Sequence, residues 1–429
     1  MHHAKAICIA LLFSAAGCGG DRRSAATNAA PGEPVRIALA VQGRSNTAPA
    51  AAAWGKTAAV VWTASTGTQS DVYASVSEDS GATFGAPVRV NDIVGDARAS
   101  GEQPARIAIG SRNAMHVVWA STEDGLSVVR YASSTNGGKT FSKARTVAGH
   151  RMTGARGWQA LTVGYDGGVQ VVWLDGRNAA AGSDHSGHRA GSHGSKSHTG
   201  TMTAPRQDLF HSAWSTSRAR VEGAVATHVC FCCKTAVAAS GEHVYAAWRH
   251  IFPGGVRDIA VARSDDNGAT FGEPARVSDD GWKIDACPDD GPSMVADGHG
   301  RLHLAWPTMV PSAAPRKAIF YSSPAEDGRF TPRLRLDAGD GDPAHPQIAS
   351  DEHGSSAVVW DEIVDGVRRI ALRRVTSGEA ASTEYLDDRG ASYPAVAAAD
   401  GNWVVVWSSH GPNGESVIAG RQLRFAPER

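Results

Sequence analysis

The chain has 429 residues, 42% of them hydrophobic, and its 42 Lys and Arg residues nearly balance its 43 Asp and Glu residues. A chain of this length can bury a large core, and the balanced charge argues against nucleic-acid partners and electrostatic attraction to acidic membranes. The 48 glycines are spread along the sequence, which is typical of many short strands joined by tight turns. The composition therefore predicts an all-β protein.

The first 34 residues have the features of an export segment. A short basic stretch precedes an apolar run at 6–16 that is too short to span a bilayer and is typical of a signal peptide. The run ends in Ala-Ala-Gly-Cys at 15–18, which resembles a bacterial lipobox, although Ala15 stands where Leu is usual. We predict removal of residues 1–17, lipidation of Cys18 and a flexible tether at 18–34, rich in Gly, Ala, Ser and Pro. An ordinary secretory signal cleaved nearby is the alternative.

Lipidation would attach the protein to a membrane through its N-terminus. No Asp follows Cys18, which by analogy with bacterial lipoproteins favours the outer membrane. Without lipidation, the expected location is the periplasm or the extracellular space. Cys8 would leave with the signal peptide, so four cysteines remain beyond the tether.

An apolar strand that ends in Trp recurs seven times, about 50 residues apart with one wider gap. The strands end at Trp62, Trp119, Trp173, Trp248, Trp306, Trp360 and Trp407. A shorter apolar strand, often opened by Pro, precedes each of them, and further strands follow. Four antiparallel strands repeated radially form the blades of a β-propeller, so we assign these tryptophans to packing between blades.

The repeat predicts seven four-stranded blades in a domain at 35–425, with a six-bladed ring as the alternative. The approximate blade limits are 49–92, 104–148, 158–226, 234–279, 292–337, 346–387 and 394–423. The last unit has three strands, and residues 35–41 form a lone strand before the first blade. We predict that this N-terminal strand completes the last blade and closes the ring, which leaves no open edge.

An eight-residue phrase, Ser-x-Asp/Asn-x-Gly-x-Thr-Phe, occurs three times. Asp or Asn accepts hydrogen bonds from nearby backbone N–H groups and Gly supplies positive φ, as in a turn. The phrase resembles the Asp box of sialidase-like β-propellers, which implies turns between third and fourth strands, away from the ligand-binding face. We assign a structural role to its residues: Ser77, Asp79, Gly81, Thr83, Phe84, Ser134, Asn136, Gly138, Thr140, Phe141, Ser264, Asp266, Gly268, Thr270 and Phe271.

Unusual segments map to the opposite face of the predicted propeller, where second-to-third-strand loops and blade-to-blade connections meet. Cysteines occur there at Cys230, Cys232, Cys233 and Cys287. Four thiolates suit Cu(I) or tetrahedral zinc, so a copper or zinc site is one prediction. Two disulfides, such as Cys230–Cys233 with Cys232–Cys287, are the alternative in an oxidising compartment.

An insertion at 175–206 lies on the same predicted face and contains four histidines among Gly and Ser residues. They are His185, His188, His193 and His198. Tracts of this composition bind metal ions, so the insertion could collect metal for the cysteines. The alternative is a solvated insertion without function.

The Asp-box resemblance also implies an enzymatic alternative, an exo-α-sialidase-type glycoside hydrolase. Such enzymes have six blades, an Arg triad that binds the substrate carboxylate, and a Tyr–Glu nucleophile pair. The nearest match to their first-arginine motif is Arg36-Ile37-Ala38, which lacks the expected Pro. Candidate groups on the functional face are Arg98, Arg151, Arg156, Arg177, Arg249, Arg389, Asp92, Glu102, Asp175, Asp285, Asp361, Glu362 and Tyr393.

The chain is similar to bacterial exported sialidase-like, or BNR-repeat, proteins that combine Asp boxes with a Cys-x-Cys-Cys segment and a later Cys-Pro, here Cys287-Pro288. This resemblance covers most of residues 35–425 and implies no defined activity. We predict an exported, lipid-anchored propeller that handles a metal ion through its cysteines. The alternatives are the sialidase and an extracytoplasmic protein- or glycan-binding scaffold with structural disulfides.

Overall fold

The computed structural model describes residues 34–98, 100–149, 154–164, 166–179, 207–215, 219–284, 288–310, 315–387 and 390–425. Within these ranges, 29 strands form seven antiparallel sheets, and one 3-10 turn, Ser111–Asn113, connects two of the strands. Each sheet is one blade of a ring, which confirms the predicted seven-bladed β-propeller. No helix within the described ranges is long and apolar enough to cross a membrane.

The first three blades each contain four strands in simple up-and-down order. Blade one is β2 (Ser45–Trp54), β3 (Thr57–Thr66), β4 (Gln69–Ser77) and β5 (Val88–Arg89). Blade two is β6 (Arg106–Ile109), β7 (Met115–Glu123), β8 (Leu126–Ser134) and β9 (Arg145–Thr146). Blade three is β10 (Arg156–Val163), β11 (Val169–Asp175), β12 (Gln207–Trp214) and β13 (Val221–Val229).

The next three blades repeat the order, and blade six splits its outer strand into two short strands that both pair with β24. Blade four is β14 (Ala236–Ser240), β15 (His243–Arg249), β16 (Ile259–Ser264) and β17 (Ala275–Arg276). Blade five is β18 (Ser293–Ala296), β19 (Leu302–Val310), β20 (Arg316–Ser322) and β21 (Leu334–Arg335). Blade six is β22 (Asp342–Ser350), β23 (Ser356–Val364), β24 (Val367–Thr376), β25 (Glu379–Ala380) and β26 (Glu384–Asp387).

Blade seven joins the two ends of the described chain. Its strands are β27 (Ser392–Ala399), β28 (Asn402–His410), β29 (Ser416–Leu423) and the N-terminal β1 (Val35–Leu39). β1 pairs antiparallel with β29, from Val35 opposite Gln422 to Leu39 opposite Ile418. The predicted closure of the ring by the N-terminal strand is therefore confirmed.

The repeated tryptophans lie in the second strand of each blade and pack against the preceding blade. Trp62 is fully buried and belongs to an apolar cluster with Val404 and Val406 of blade seven. The indole N–H groups need partners when they are buried, and most find one: Trp173 donates to Asp175 at 2.8 Å and Trp360 donates to Glu362 at 3.0 Å. The tryptophans thus fasten neighbouring blades together.

The Asp-box residues lie in the turns after β4, β8 and β16, between third and fourth strands. In the first box, the Ser77 hydroxyl donates to Asp79 at 2.7 Å and accepts from the backbone N–H of Gly81 at 2.8 Å. Asp79 also accepts from the backbone N–H of Thr83 at 2.8 Å. These turns leave the blades on the side of the ring opposite the blade-to-blade connections.

The box glycine also lies against the preceding blade. A Cβ atom on Gly81, whose φ is +91°, would approach Val404 of blade seven within 2.2 Å. The equivalent atom on Gly138 would lie 2.6 Å from Val76 of blade one. The turn therefore needs glycine both for its backbone conformation and for the close approach of the blades.

Candidate functional site

Three of the predicted cysteines form one buried cluster in the connection from β13 to β14. Cys230, Cys232 and Cys233 are 1%, 5% and 2% exposed, and their three sulfur atoms lie within 4.8 Å of one another. The Sγ atoms of Cys230 and Cys233 are 2.9 Å apart. Trp158 and Phe231 pack against the cluster and exclude water from it.

Two arginines from blade four provide positive charge beside the sulfurs. Arg257 lies 3.8 Å from the Cys230 sulfur. Arg249 is fully buried, stacks on Trp282 and donates to the carbonyl of Pro307 at 2.8 Å. Hydrogen bonds from Cys232 and Cys233, reinforced by these arginines, lower the pKa of Cys230 to about 3. Burial and the negative charge on Cys230 raise the pKa of Cys233. The cluster therefore favours one thiolate next to a protonated thiol.

Several predicted site residues lie outside the described residues. These are the fourth cysteine, Cys287, the lipidation candidate Cys18, and the histidines His185, His188, His193 and His198. The strands that flank the insertion, β11 and β12, lead to the same face of the ring as the cysteine cluster. The roles predicted for these six residues stay predictions.

A second group of polar residues meets at the ring axis on this face, and its centre is the Glu102 carboxylate. Lys234 contacts one of its oxygens, with Nζ and Oε2 3.0 Å apart. His345 lies 2.9 Å from the other oxygen through Nε2, and the Tyr393 hydroxyl donates to that oxygen at 3.3 Å. Glu102 and Lys234 come from blade-to-blade connections, and His345 and Tyr393 come from the inner strands of blades six and seven. Only the closed ring brings these residues together.

Two further buried carboxylates contact the axial cluster, which consists of Glu102, Lys234, His345 and Tyr393. Asp290 contacts Lys234 at 3.1 Å and accepts from the backbone N–H of His345 at 2.6 Å. Asp361 contacts the His345 ring at 2.8 Å and accepts from the backbone N–H of Tyr393 at 2.7 Å. The side chains of the cluster are therefore fixed by more than their contact with Glu102.

Charge pairing decides the protonation states of the cluster. Burial opposes ionisation of Glu102, but Lys234 and His345 outweigh it and hold the pKa of that carboxyl well below its usual range. Burial likewise opposes protonation of His345, but the carboxylates of Asp361 and Glu102 raise its pKa. Burial and the two nearby carboxylates raise the pKa of Tyr393, so its phenol keeps its proton at neutral pH.

The backbone at the axis is strained where the cluster is formed. Trp158, His345 and Tyr393 have φ of 57°, 58° and 53°, a left-handed conformation that non-glycine residues rarely adopt. Each lies at a register shift near the start of the innermost strand of its blade. Ala48 has the same conformation, with φ of 58°, at the equivalent register shift of blade one. These bulges are therefore a repeated feature of the inner strands, and they redirect the side chains at this position.

The described arginines from the sialidase hypothesis have other partners. Arg156 and Arg177 contact Asp175 at 3.0 and 2.6 Å, and Arg98 donates to backbone carbonyls. Arg151 and Arg389 lie outside the described residues. A Tyr–Glu pair, Tyr393 with Glu102, does form at the axis, but the described members of the arginine set do not surround it.

Sequence reasoning placed Glu102, Asp361 and Tyr393 on this face but missed Lys234, Asp290 and His345. Lys234, His345 and Tyr393 each precede the first residue of the short strand motif, Thr235, Pro346 and Pro394 respectively. Alignment of the repeat at that position is the signal that could have identified them. The remaining acidic candidates, Asp92, Asp175 and Glu362, are elsewhere on the face, and Asp285 is outside the described residues.

A cavity of about 970 Å³ lies on this face between blades four, five and six. Trp282, Pro307 and Met309 contribute apolar walls, and Asp290 connects the cavity to the axial cluster. A smaller cavity of about 140 Å³ lies between the inner strands, where Arg106 donates to Gln347 at 3.0 Å.

No protein-family model matches the sequence, and the search of curated proteins finds no match. Solved structures do match. A polysaccharide lyase, described as a PL25 ulvan lyase, is 10% identical with a TM-score of 0.52, over 88% of this chain and 93% of that chain. Its structure bound to -[GlcA(1-4)Rha3S]- matches with the same values. A Trypanosoma rangeli sialidase is 11% identical with a TM-score of 0.45, over 92% of this chain and 60% of that chain. At these identities the similarity is one of fold.

Proposed function

We propose that this protein is an exported, lipid-anchored propeller that binds a thiophilic metal ion, Cu(I) or zinc, through Cys230, Cys232 and Cys233. The observation that carries the proposal is the convergence of three buried sulfur atoms within 4.8 Å. Sulfurs bound to a common zinc ion at the usual bond length are about 3.8–4.0 Å apart, so a small adjustment of side chains would complete the site.

The surroundings of the cysteines fit a metal–thiolate centre. Three thiolates around Cu(I) or zinc carry a net negative charge, which is costly to bury without compensation. Arg257 and Arg249 provide that compensation from one side, while Trp158 and Phe231 exclude water from the other. Cys287 is the candidate for a fourth ligand, and the histidine-rich insertion is the candidate for collecting the metal.

The test is metal analysis of the full chain, purified under anaerobic reducing conditions and offered Cu(I) or zinc. We expect about one equivalent of retained metal, and loss of retention in Cys230→Ser, Cys232→Ser and Cys233→Ser. Thr235→Ser is the matched control, because it changes the same segment and keeps the hydroxyl that donates to the Trp158 carbonyl. Cys287→Ser tests whether that residue is a ligand.

Retention of metal by all three cysteine variants, or no retention by the reduced wild-type protein, would contradict the proposal. Alkylation followed by mass spectrometry tests the disulfide alternative. A disulfide between two of these cysteines in protein isolated without reductant would favour the scaffold function.

A glycoside hydrolase is the second candidate, and the observation that favours it is the Tyr393–Glu102 contact of 3.3 Å. In that function Glu102 would accept the phenol proton as the Tyr393 oxygen bonds to the anomeric carbon. The glycosidic bond would break in the same step, and the aglycone oxygen would leave and take a proton from water. The test is a fluorogenic sialoside. Fluorophore release by the wild type but not by Tyr393→Phe would support the hydrolase function.

A further inference from the structure

The axial cluster has the composition of a carboxylate-binding site, and the group it holds is itself a carboxylate. One Glu102 oxygen lies 3.0 Å from the Lys234 ammonium, and the other accepts from the His345 ring and the Tyr393 hydroxyl at 2.9 and 3.3 Å. Charge-assisted hydrogen bonds of this kind are the strong ones in proteins. Three donors from three blades thus converge on two oxygens.

The donors do not depend on Glu102 for their positions. Lys234 keeps an ion pair with Asp290 at 3.1 Å, and His345 keeps one with Asp361 at 2.8 Å. The Tyr393 ring lies against the His345 ring with centroids 4.4 Å apart. Removing the Glu102 carboxylate would therefore leave a preformed donor set rather than unpaired buried charges.

Glu102 is more exposed than Lys234 and His345, which contact its carboxylate. Its side chain is 29% exposed, whereas those of Lys234 and His345 are 5% and 11% exposed. It belongs to the connection between blades one and two, outside any strand, and the backbone there packs onto the Tyr393 ring at Gly101. Glu102 and Asp290 both belong to blade-to-blade connections and Asp361 belongs to β23, but Glu102 has the most exposed side chain of these three carboxylates.

We propose that Lys234, His345 and Tyr393 form a binding site for the carboxylate of a ligand, and that Glu102 occupies this site until the ligand displaces it. Glu102 then competes with the ligand carboxylate for the three donors, which weakens the binding of simple carboxylates. Tight binding would therefore require contacts between the protein and the rest of the ligand. The three donors are not the residues named as metal ligands, although Lys234 directly follows Cys233 in the chain.

Glu102→Ala tests the proposal, with D-glucuronate as the probe and D-glucose, which lacks the carboxylate, as the control. We expect the variant to bind glucuronate at least tenfold more tightly than the wild type in calorimetry, and neither protein to bind glucose. Acetate should raise the melting temperature of Glu102→Ala more than that of the wild type. Adding Tyr393→Phe, which removes one donor oxygen, should weaken the binding that Glu102→Ala gains.

Equal glucuronate binding by wild type and a folded Glu102→Ala would overturn the proposal, as would binding of glucose as tight as that of glucuronate. Glu102→Gln, which removes the charge and keeps the side-chain size, serves if the alanine variant does not fold. Failure of both variants to fold would assign Glu102 to the framework and also overturn the proposal. Glucuronate calorimetry and metal retention are separate measurements, so failure of this proposal is distinguishable from failure of the metal proposal.

Discussion

Gly268 of the third Asp box combines a left-handed backbone conformation with close packing against the neighbouring blade. Its φ is +85°, and a Cβ atom there would approach Cε1 of the buried His211, in blade three, within 2.3 Å. The shared geometry of the three boxes in this chain therefore includes a contact between blades as well as a turn. Gly241 has a φ of +55° but no neighbouring atom within 4 Å, so it carries the first property alone.

This contrast predicts different costs for two alanine substitutions. Gly241→Ala should lower the free energy of unfolding by about 1–3 kcal/mol through backbone strain. Gly268→Ala should cost about 1–3 kcal/mol more, because the new methyl group overpacks the boundary between blades three and four. Urea denaturation of both variants checks this, and equal losses would show that the contact has no energetic weight.

His211 provides a pH dependence of stability. Its ring bonds to Gln170 at 2.8 Å, and burial lowers its pKa to about 4, so the folded protein holds it neutral. The unfolded chain binds a proton there below about pH 6.5, so this contribution to stability is lost as the pH falls from 6.5 toward 4.

We expect His211→Gln to lose less stability than the wild type between pH 7 and pH 5, by about 2 kcal/mol. Urea denaturation at both pH values measures the difference. The histidine at position 116, which pairs with Tyr131, stays in both proteins and controls for the general effect of acid. An unchanged pH dependence would mean that His211 is already protonated in the folded state.

At the scale of the strand, the repeat was predictable because the second strand of every blade packs against the preceding blade in the same way. The second strand needs a continuous apolar face and a large residue that packs against the preceding blade, so Trp recurs at a fixed position, although most of these strands continue beyond the Trp at which the sequence pattern placed their end. The Asp box is readable for a similar reason, since one turn geometry demands Asp or Asn, Gly and Thr at fixed spacing. Strand number, blade number and ring closure all follow from these patterns.

The axial cluster could not be read in the same way. Lys234, His345 and Tyr393 occupy one structural position, but they share no residue type because each contributes differently to a single site. Their distances are set by the diameter of the closed ring, and no local pattern encodes that diameter. Cys230, Cys232 and Cys233 were easier to identify because one short connection carries all three.

At the scale of the whole molecule, the strand β1 decides whether the ring is closed. Removing it would expose the edge of β29, with its unpaired backbone groups, to solvent and to other molecules. We expect a chain that begins at Gly43 to melt at a lower temperature and to aggregate, whereas one that begins at Pro34 should behave as the full chain does. Thermal denaturation and size-exclusion chromatography compare the two, and equal behaviour would show that closure adds little stability.

The direction of β1 has a further consequence for how the protein would face its surroundings. Val35 lies opposite Gln422, whose side chain donates to the Ser80 carbonyl in the first Asp box, so the described chain starts at the Asp-box rim. The proposed lipid anchor would therefore reach the propeller from that rim. The cysteines and the axial cluster lie on the opposite face, so attachment at the N-terminus would leave them uncovered.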